Sequence, residues 1–195
     1  MPRFSENEKE QIRNKLLSEG ERLFAAHGVK KVTIDDLVEA VGIAKASFYK
    51  FYESKEYLYL DIVQGIQKRI FTELNSVLDS NVNLSSKERV RQTFSAMFNM
   101  MLRYPILAKI DMNTIELISR KVSKERLSLF NEQNIDAVQT LHNHGINFSC
   151  DLKTASYAFQ ALYHGWTYLQ EKSMDIQTSV MDILLNAVIN QIVVD

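Results

Sequence analysis

Gly42 separates two short segments that both repeat apolar residues at helical spacing, and this arrangement strongly constrains the fold. The segment before it begins at Thr33, with Asp36 three residues later, a spacing typical of a capping box at a helix start. A glycine in the left-handed conformation can end a helix and allow an abrupt turn into the next. The sequence therefore predicts two short helices joined by a tight turn. The residues expected to lock them together are Leu37, Val41, Ile43 and Phe48.

Helical periodicity continues through the rest of the 195 residues. Proline occurs twice and glycine six times, which is too few turn residues for a protein of many strands. Ser5 with Glu8 predicts the start of the first helix, and Ser54 predicts the start of a long fourth helix that reaches about Leu78. We therefore predict an all-α fold of about nine helices, divided into residues 1–56 and residues 57–195.

The apolar stripes downstream of a polar loop at 79–86 predict further helices of ordinary length. One is expected from Ile106 to about Val122, and another from Ser123 to Gly145. The last two are expected to begin at Asp151 and Asp175.

The composition of the chain indicates the cellular compartment in which it works. Cys150 is the single cysteine, so no disulfide can form within the chain, which favours a reducing compartment. The N-terminal residues are polar, and no run approaches the ~18 apolar residues of a membrane span. These observations predict a cytoplasmic protein with no membrane association.

Motifs that indicate catalysis are missing from the sequence. It contains no phosphate-binding loop, nucleophile elbow or dinucleotide fingerprint. His142 and His144 are two residues apart, whereas metal-binding pairs on one helix face are three or four apart. We therefore expect no enzyme, no cofactor and no metal site. Residues 1–56 hold ten basic and ten acidic residues, so a nucleic-acid surface would require local segregation of charge.

The stretch from Leu23 to Leu58 resembles the N-terminal domain of the tetracycline-repressor (TetR) family. Its strongest part is residues 42–58, set beside the family pattern Gly-Val-Ser-Lys-Gly-Thr-Leu-Tyr-His-Tyr-Phe-Pro-Ser-Lys-Glu-x-Leu. The positions that match the pattern outright are Gly42, Lys45, Tyr49, Ser54, Lys55, Glu56 and Leu58. The resemblance implies a three-helix DNA-binding domain with a helix-turn-helix, followed by a helical ligand-binding and dimerisation domain.

Several side chains of the motif have the chemistry of DNA contacts. Thr33 begins a helix, where a hydroxyl and free backbone amides can bind a phosphate. Tyr49 can donate its hydroxyl to a phosphate, and Lys50 and Lys55 can each pair with one. Lys45 can reach a guanine edge. The resemblance implies one set of residues at the DNA surface: Thr33, Lys45, Ala46, Ser47, Tyr49, Lys50 and Lys55. Phe48 and Tyr52 are expected in the core.

Two positions depart from the family pattern. Ala44 replaces the usual serine, so the recognition helix has no side-chain cap, a loss of roughly 1 kcal/mol. Lys50 replaces histidine and adds a positive charge. Both changes leave the operator sequence undetermined.

The C-terminal part carries apolar and methionine side chains suited to a small, mainly apolar ligand, as the resemblance implies. The candidate lining residues are Phe94, Phe98, Met101, Met112, Phe130, Asn134 and Tyr163. An ordinary helix-bundle core would show the same pattern, so both interpretations stay open.

The last two helices carry more apolar surface than one core requires. The helix around Phe159 and Trp166 is apolar on nearly all sides, so a second surface must cover it. Small residues at 155, 158, 161 and 165 allow close helix approach. A two-fold, four-helix homodimer interface fits this pattern, and the resemblance also implies it. The alternative is a fully internal helix of a monomer.

Together these features predict a ligand-responsive transcriptional regulator. It would act as a homodimer on a palindromic double-stranded DNA operator, as a repressor released by a small-molecule effector. Two other classes stay open. One is a nucleoid-type or adaptor protein that binds DNA without a ligand switch. The other is a helical small-molecule-binding or enzymatic domain whose helix-turn-helix is vestigial.

Overall fold

Helices account for most of the chain. The computed structural model describes residues 4–132, 137–169 and 172–195, with side chains except at 112 and 129–132. The first four helices are α1 (Glu6–Lys31), α2 (Ile34–Val41), α3 (Lys45–Phe48) and α4 (Lys55–Ser80). The others are α5 (Ser86–Leu102), α6 (Met112–Lys121), α7 (Lys124–Glu132), α8 (Ala137–Asn143), α9 (Leu152–Leu169) and α10 (Met174–Ile192). The all-α prediction is confirmed.

The N-terminal caps form as the sequence predicts. Ser5 and Glu8 make a reciprocal capping box at the start of α1. The Ser54 hydroxyl accepts a hydrogen bond from the Glu56 backbone N–H (3.2 Å) at the start of α4. Gly28 interrupts α1 with a positive φ of 77°, and one further turn then carries the helix to Lys31. Local hydrogen bonding thus fixes these helix starts.

Two predicted helices have different bounds in the structure. The segment from Ile106 to Val122 is divided into a 3₁₀ turn, Leu107–Lys109, and α6. Asp111 causes the division because its carboxylate accepts a hydrogen bond from the Thr114 backbone N–H (2.7 Å) and caps α6. The segment from 123 to 145 contains α7 and α8, and residues 133–136 between them lie outside the described residues.

A short antiparallel pair of strands was not predicted from the sequence. Strand β1 (Asn147–Phe148) pairs with β2 (Val193–Val194), and Phe148 lies opposite Val193. Ile146 and Val193 are both buried. The pairing therefore ties the segment after α8 to the segment after α10.

The chain packs as two compact units. The first comprises Met1–Lys68 and Tyr104–Asn134, and the second comprises Arg69–Arg103 and Ile135–Asp195. Fully buried side chains of the first unit include Leu16, Phe24, Leu37, Phe48, Leu58, Ile66 and Ile106. Those of the second include Leu78, Val90, Val138, Leu141, Ile146 and Ile189. The predicted boundary at residue 56 was drawn between functions, whereas these two units are defined by packing. That boundary stays a prediction.

A shared carboxylate joins three helices of the first unit. Asp61 on α4 accepts a hydrogen bond from Arg13 on α1 (3.1 Å) and another from Arg126 on α7 (2.6 Å). The Tyr57 hydroxyl, one turn earlier on α4, accepts from the Ser123 backbone N–H at the start of α7 (3.1 Å). The first unit is therefore held together by contacts between residues far apart in sequence.

Candidate nucleic-acid interface

The turn between α2 and α3 is closed by Gly42. Its φ of 76° and ψ of 39° are left-handed, a conformation that favours glycine. Its N–H donates to the carbonyl oxygens of Val38 (2.9 Å) and Glu39 (3.2 Å), and the Ile43 N–H also donates to Val38 (3.0 Å). These bonds satisfy the carbonyls that the end of α2 leaves free. The predicted tight turn is confirmed.

The inward faces of α2 and α3 form the predicted core. Leu37, Val41 and Phe48 are buried, and Ile43 is half-buried. Tyr52 is also buried, as expected, although its ring lies close to Arg13. The remaining side chains of α3 must therefore face away from this core.

Four of the predicted contact residues are exposed on or beside α3. Lys45, Ala46, Tyr49 and Lys50 are exposed, whereas Ser47 is half-buried. The Tyr49 ring makes an edge contact with Phe48 (5.7 Å between centroids), which holds it against the motif. Ala44 at the helix start makes no side-chain cap, so the first turn has free backbone donors, as the sequence predicts. These exposed side chains therefore form one surface that a partner could contact.

The backbone N–H and the hydroxyl of Thr33 are hydrogen-bonded to a residue of α2. Its backbone N–H (2.7 Å) and hydroxyl (2.8 Å) both donate to the Asp36 carboxylate, and the hydroxyl accepts from the Asp36 N–H (3.2 Å). These bonds hold the pKa of Asp36 below its ordinary value. A phosphate at this helix start would therefore meet the amides of Ile34 and Asp35, because the first turn has no intrahelical acceptors for them.

Lys45 is paired within the chain. Its Nζ lies 2.9 Å from Asp35 Oδ2, and both side chains are more than half exposed. The hydrogen bond to Asp35 raises the pKa of Lys45, so the lysine is charged at neutral pH. Contact with a guanine edge would require this ion pair to open. Asp35 lies in the first turn of α2, and its pairing with Lys45 was not predicted.

Lys55 has a structural role that the sequence analysis missed. Its Nζ donates to the carbonyl oxygens of Val32 (2.5 Å) and Lys30 (3.3 Å) at the end of α1. Partial burial lowers the pKa of Lys55. The ammonium group therefore holds the segment between α1 and α2, and its predicted contact with phosphate stays a prediction.

The N-terminal segment adds a further aromatic contact beside α3. Phe4 lies 6.5 Å from the Phe51 ring, between centroids, and the Lys50 ammonium lies 5.2 Å from the centroid of Phe4. This cation–π geometry restrains Lys50 at the exposed edge of the motif. Nothing in the local sequence pattern indicated that Phe4 would approach a residue so far along the chain.

The predicted ligand-pocket residues do not share one cavity. Phe94 borders a small gap of about 10 Å³ between α4, α5 and α8. Phe98 borders a larger groove of about 210 Å³ between α5, α9 and α10. Met101 is buried, and the Tyr163 ring stacks on Trp166 (6.1 Å). Asn134 and the side chains of Met112 and Phe130 lie outside the described residues.

An exposed apolar face lies on the last two helices. Tyr157 and Tyr168 project from α9, and Ile183 and Leu184 project from α10. Tyr168 is 75% exposed and Ile183 is 68% exposed, values that are unusual for large apolar side chains. The other side of α9, including Phe159 and Trp166, is buried. The two helices that carry this face are the ones predicted to form a homodimer.

The N-terminal part matches the model of a known protein family, described as bacterial regulatory proteins, tetR family, over residues 16–62. The matched range contains all seven of the predicted DNA-contact residues. This part of the chain is therefore similar to the N-terminal domain of TetR-family regulators.

Relatives in sequence match about half of the chain. The HTH-type transcriptional repressor KstR2 of Mycobacterium tuberculosis is 29% identical over 86 residues, which cover 44% of this chain and 42% of that protein. The nucleoid occlusion factor SlmA of Vibrio campbellii is 25% identical over 104 residues, 53% of this chain and 50% of that protein. The chain thus spans about half the length of the curated relatives it matches.

Solved structures share the fold of this chain over nearly its whole length. The ketosteroid transcriptional regulator KstR2 of Mycobacterium tuberculosis has a TM-score of 0.64 at 19% identity and covers 94% of this chain and 95% of that one. The fatty acid degradation regulator FadR from Bacillus halodurans has a TM-score of 0.61 at 14% identity and covers 96% and 97%. At these identities the similarity concerns the fold alone.

Membrane-spanning helices and metal-ligand clusters are both absent from the described residues. Every described helix is too short or too polar to cross a bilayer. Within the same residues, no cluster of three His, Cys, Asp or Glu side chains is arranged to hold a metal ion.

Proposed function

We propose that the chain is a cytoplasmic, DNA-binding transcriptional repressor, not an enzyme, that a small, mainly apolar effector releases from its operator. The observation that carries the proposal is the exposed group on α3, with Lys45, Tyr49 and Lys50 beside a closed helix-turn-helix. A helix presented in this way fits the major groove, where side chains read base edges and contact phosphates. The match to the TetR family over the same residues supports the assignment.

The repressor would act as a homodimer through α9 and α10. Two copies would place their recognition helices ~34–36 Å apart, in successive major grooves of a palindrome. The exposed apolar face around Tyr168 and Ile183 supports this arrangement, because burying it against a second copy removes apolar surface from water. An effector would weaken DNA binding only if it binds one conformation of the dimer better than the other.

DNA binding can be tested with short labelled duplexes that tile the DNA on either side of the gene. Fluorescence anisotropy at low salt should identify a palindromic duplex bound by two copies of the chain. Tyr49→Ala and Lys50→Ala should each weaken that binding, and Lys50→Ala should lower the slope of log K against log salt by about 1. Lys153→Ala is the matched control, since Lys153 is exposed on α9.

The proposal fails if no duplex is bound at low salt, or if Tyr49→Ala and Lys50→Ala both bind as tightly as the wild type. The homodimer has its own test by sedimentation. Ile183→Glu should shift the chain to a monomer and weaken operator binding, whereas Ile115→Glu, at another exposed isoleucine, should leave the assembly unchanged. Equal behaviour of the two variants would exclude this dimer face.

A second candidate is a DNA-binding protein with no ligand switch. One observation favours it: the chain is similar to the nucleoid occlusion factor SlmA. Binding at many genomic sites, with none beside the gene itself, would favour this candidate over the repressor.

A further inference from the structure

The groove between α5, α9 and α10 is lined by helix faces with regular spacing. Residues 95, 98, 99 and 102 of α5 form one wall, and residues 174, 177, 178, 181, 182 and 185 of α10 form another. Both sets follow the three- and four-residue spacing of a single helix face. Trp166 of α9 completes the lining. The groove is therefore formed by rigid elements of the second unit.

The interior of the groove is aromatic and apolar. Trp166, Met181 and Leu185 are buried, and Phe98 is half-buried with its ring centroid 6.4 Å from that of Trp166. The volume of about 210 Å³ exceeds the roughly 150 Å³ of a cavity that accepts benzene. It is smaller than the roughly 300–1,000 Å³ of sites for drug-sized ligands. The space therefore suits a single ring with a short side arm.

The rim of the groove is negatively charged. Asp182 is the only charged residue in the lining, and in the described part of the chain it takes part in no ion pair. The nearby arginines are bound elsewhere: Arg91 contacts Glu88 and Asn186, and Arg103 contacts Glu73. Neither arginine therefore neutralises the Asp182 carboxylate by direct contact.

Polar groups beside Asp182 complete the rim. Ser95 and Asn99 lie on α5, and Thr178 lies one turn before Asp182 on α10. The Gln177 amide donates to the Lys172 carbonyl oxygen (2.8 Å), which fixes the start of α10 at the end of the groove. A carboxylate next to aromatic rings attracts a cation through both charge and ring quadrupole.

We propose that this groove binds a small organic cation with one aromatic ring, the ring against Phe98 and Trp166 and the ammonium group at Asp182. Ser95 and Asn99 accept hydrogen bonds from the ammonium N–H groups. The proposal concerns ligand binding to the second unit and does not depend on DNA recognition. In the repressor proposed above, the groove would serve as an effector site, and the effector would carry a positive charge at one end of an apolar body.

Trp166 is the only tryptophan in the chain, so its fluorescence reports on this groove directly. The full chain is titrated at neutral pH with 2-phenylethylammonium, with the neutral 2-phenylethanol, and with the anionic 3-phenylpropionate. The cation should give a saturable change in indole emission, with a dissociation constant about ten-fold lower than that of the alcohol. The anion should bind more weakly than both.

Removal of the Asp182 charge distinguishes binding in the groove from general electrostatic attraction to the protein. Asp182→Asn should weaken binding of the cation by about ten-fold and leave binding of the alcohol unchanged. Asp175→Asn removes the same charge from an exposed position on the same helix, outside the lining, and should change either affinity by less than about two-fold. Thr178→Phe should fill the groove and abolish binding of both compounds. Circular dichroism confirms that each variant folds.

The proposal is overturned if no compound gives a saturable change. It is also overturned if the cation and the alcohol bind equally, or if the Asp182 and Asp175 variants weaken the cation to the same extent. Unchanged binding after Thr178→Phe would place the ligand elsewhere. If the chain binds the cation in the groove but binds no operator, the ligand site is supported and the proposed repressor function is refuted.

Discussion

Removal of the Asp35 carboxylate should strengthen DNA binding, because the free protein pairs this group with Lys45. The distance between Lys45 Nζ and Asp35 Oδ2 is 2.9 Å, and the two side chains are 52% and 69% exposed. Ion pairs this exposed are weak because water screens them. Asp35→Asn therefore releases Lys45 from its internal partner at little cost. It also removes a negative charge that would repel phosphates, so operator affinity should rise about two- to ten-fold at low salt.

The substitution has a small cost in stability. Asp35 lies in the first turn of α2, where a negative charge interacts favourably with the helix dipole by about 0.3–1 kcal/mol. Asp35→Asn should lower the free energy of unfolding by no more than this amount. Urea denaturation followed by circular dichroism measures the change, and operator affinity must be compared where both proteins are fully folded.

A matched control and a mutant cycle isolate the ion pair. Glu39→Gln removes an exposed negative charge from the same helix without touching Lys45, and it should raise affinity less than Asp35→Asn. Lys45→Ala should cost more affinity in the Asp35→Asn background than in the wild type, because there the lysine has no internal partner to leave. Anisotropy with the operator duplex measures all four combinations. The reasoning is refuted if Asp35→Asn leaves affinity unchanged or lowers it, or if Glu39→Gln raises it equally.

Three further substitutions test the packing of the first unit by denaturation. Lys55→Met should lower the free energy of unfolding by about 1–2 kcal/mol, since it removes a charged donor from the carbonyl of Val32; an unchanged midpoint in urea would mean that this bond contributes nothing. Burial raises the pKa of Tyr52 to about 12, above its unfolded value. The contribution of the protonated Tyr52 hydroxyl to the free energy of unfolding is therefore complete below pH ~10 and is lost as pH rises towards 12. Tyr52→Phe should therefore lose stability less steeply over that range, and identical slopes would contradict the assignment. Gly20→Val should cost about 1–3 kcal/mol, because a Cβ atom there would lie 2.9 Å from Ile62 Cδ1, and a variant of wild-type stability would show that the Ile62 side chain moves aside freely.

The sequence predicted those parts of the interface that depend on neighbouring residues. The bonds between Thr33 and Asp36 span three residues, and the turn at Gly42 follows directly from its left-handed backbone. Burial of Phe48 follows from the spacing of apolar residues on one helix face. These features were predicted correctly because no distant part of the chain is needed to form them.

The features that were missed depend on approach between distant residues. Lys55 meets the carbonyl of Val32 only once α4 packs against the end of α1. The pairing of Phe148 with Val193 joins segments that no local pattern connects. Phe94 and Phe98 are four residues apart and share one side of a helix, yet they border different cavities, because the neighbouring helices divide the space between them.

The contacts of the Asp61 carboxylate limit where the chain can be truncated. A fragment that stops at residue 68 would keep all seven predicted DNA contacts, but it would lose Ser123 and Arg126, the groups that α7 brings to α4. The same truncation would uncover the surface of α1 and α4 that residues 104–132 cover in the first unit. A portable DNA-binding module therefore cannot be excised from this chain by a single cut. A chimaera that borrows its operator specificity must therefore also carry α6 and α7.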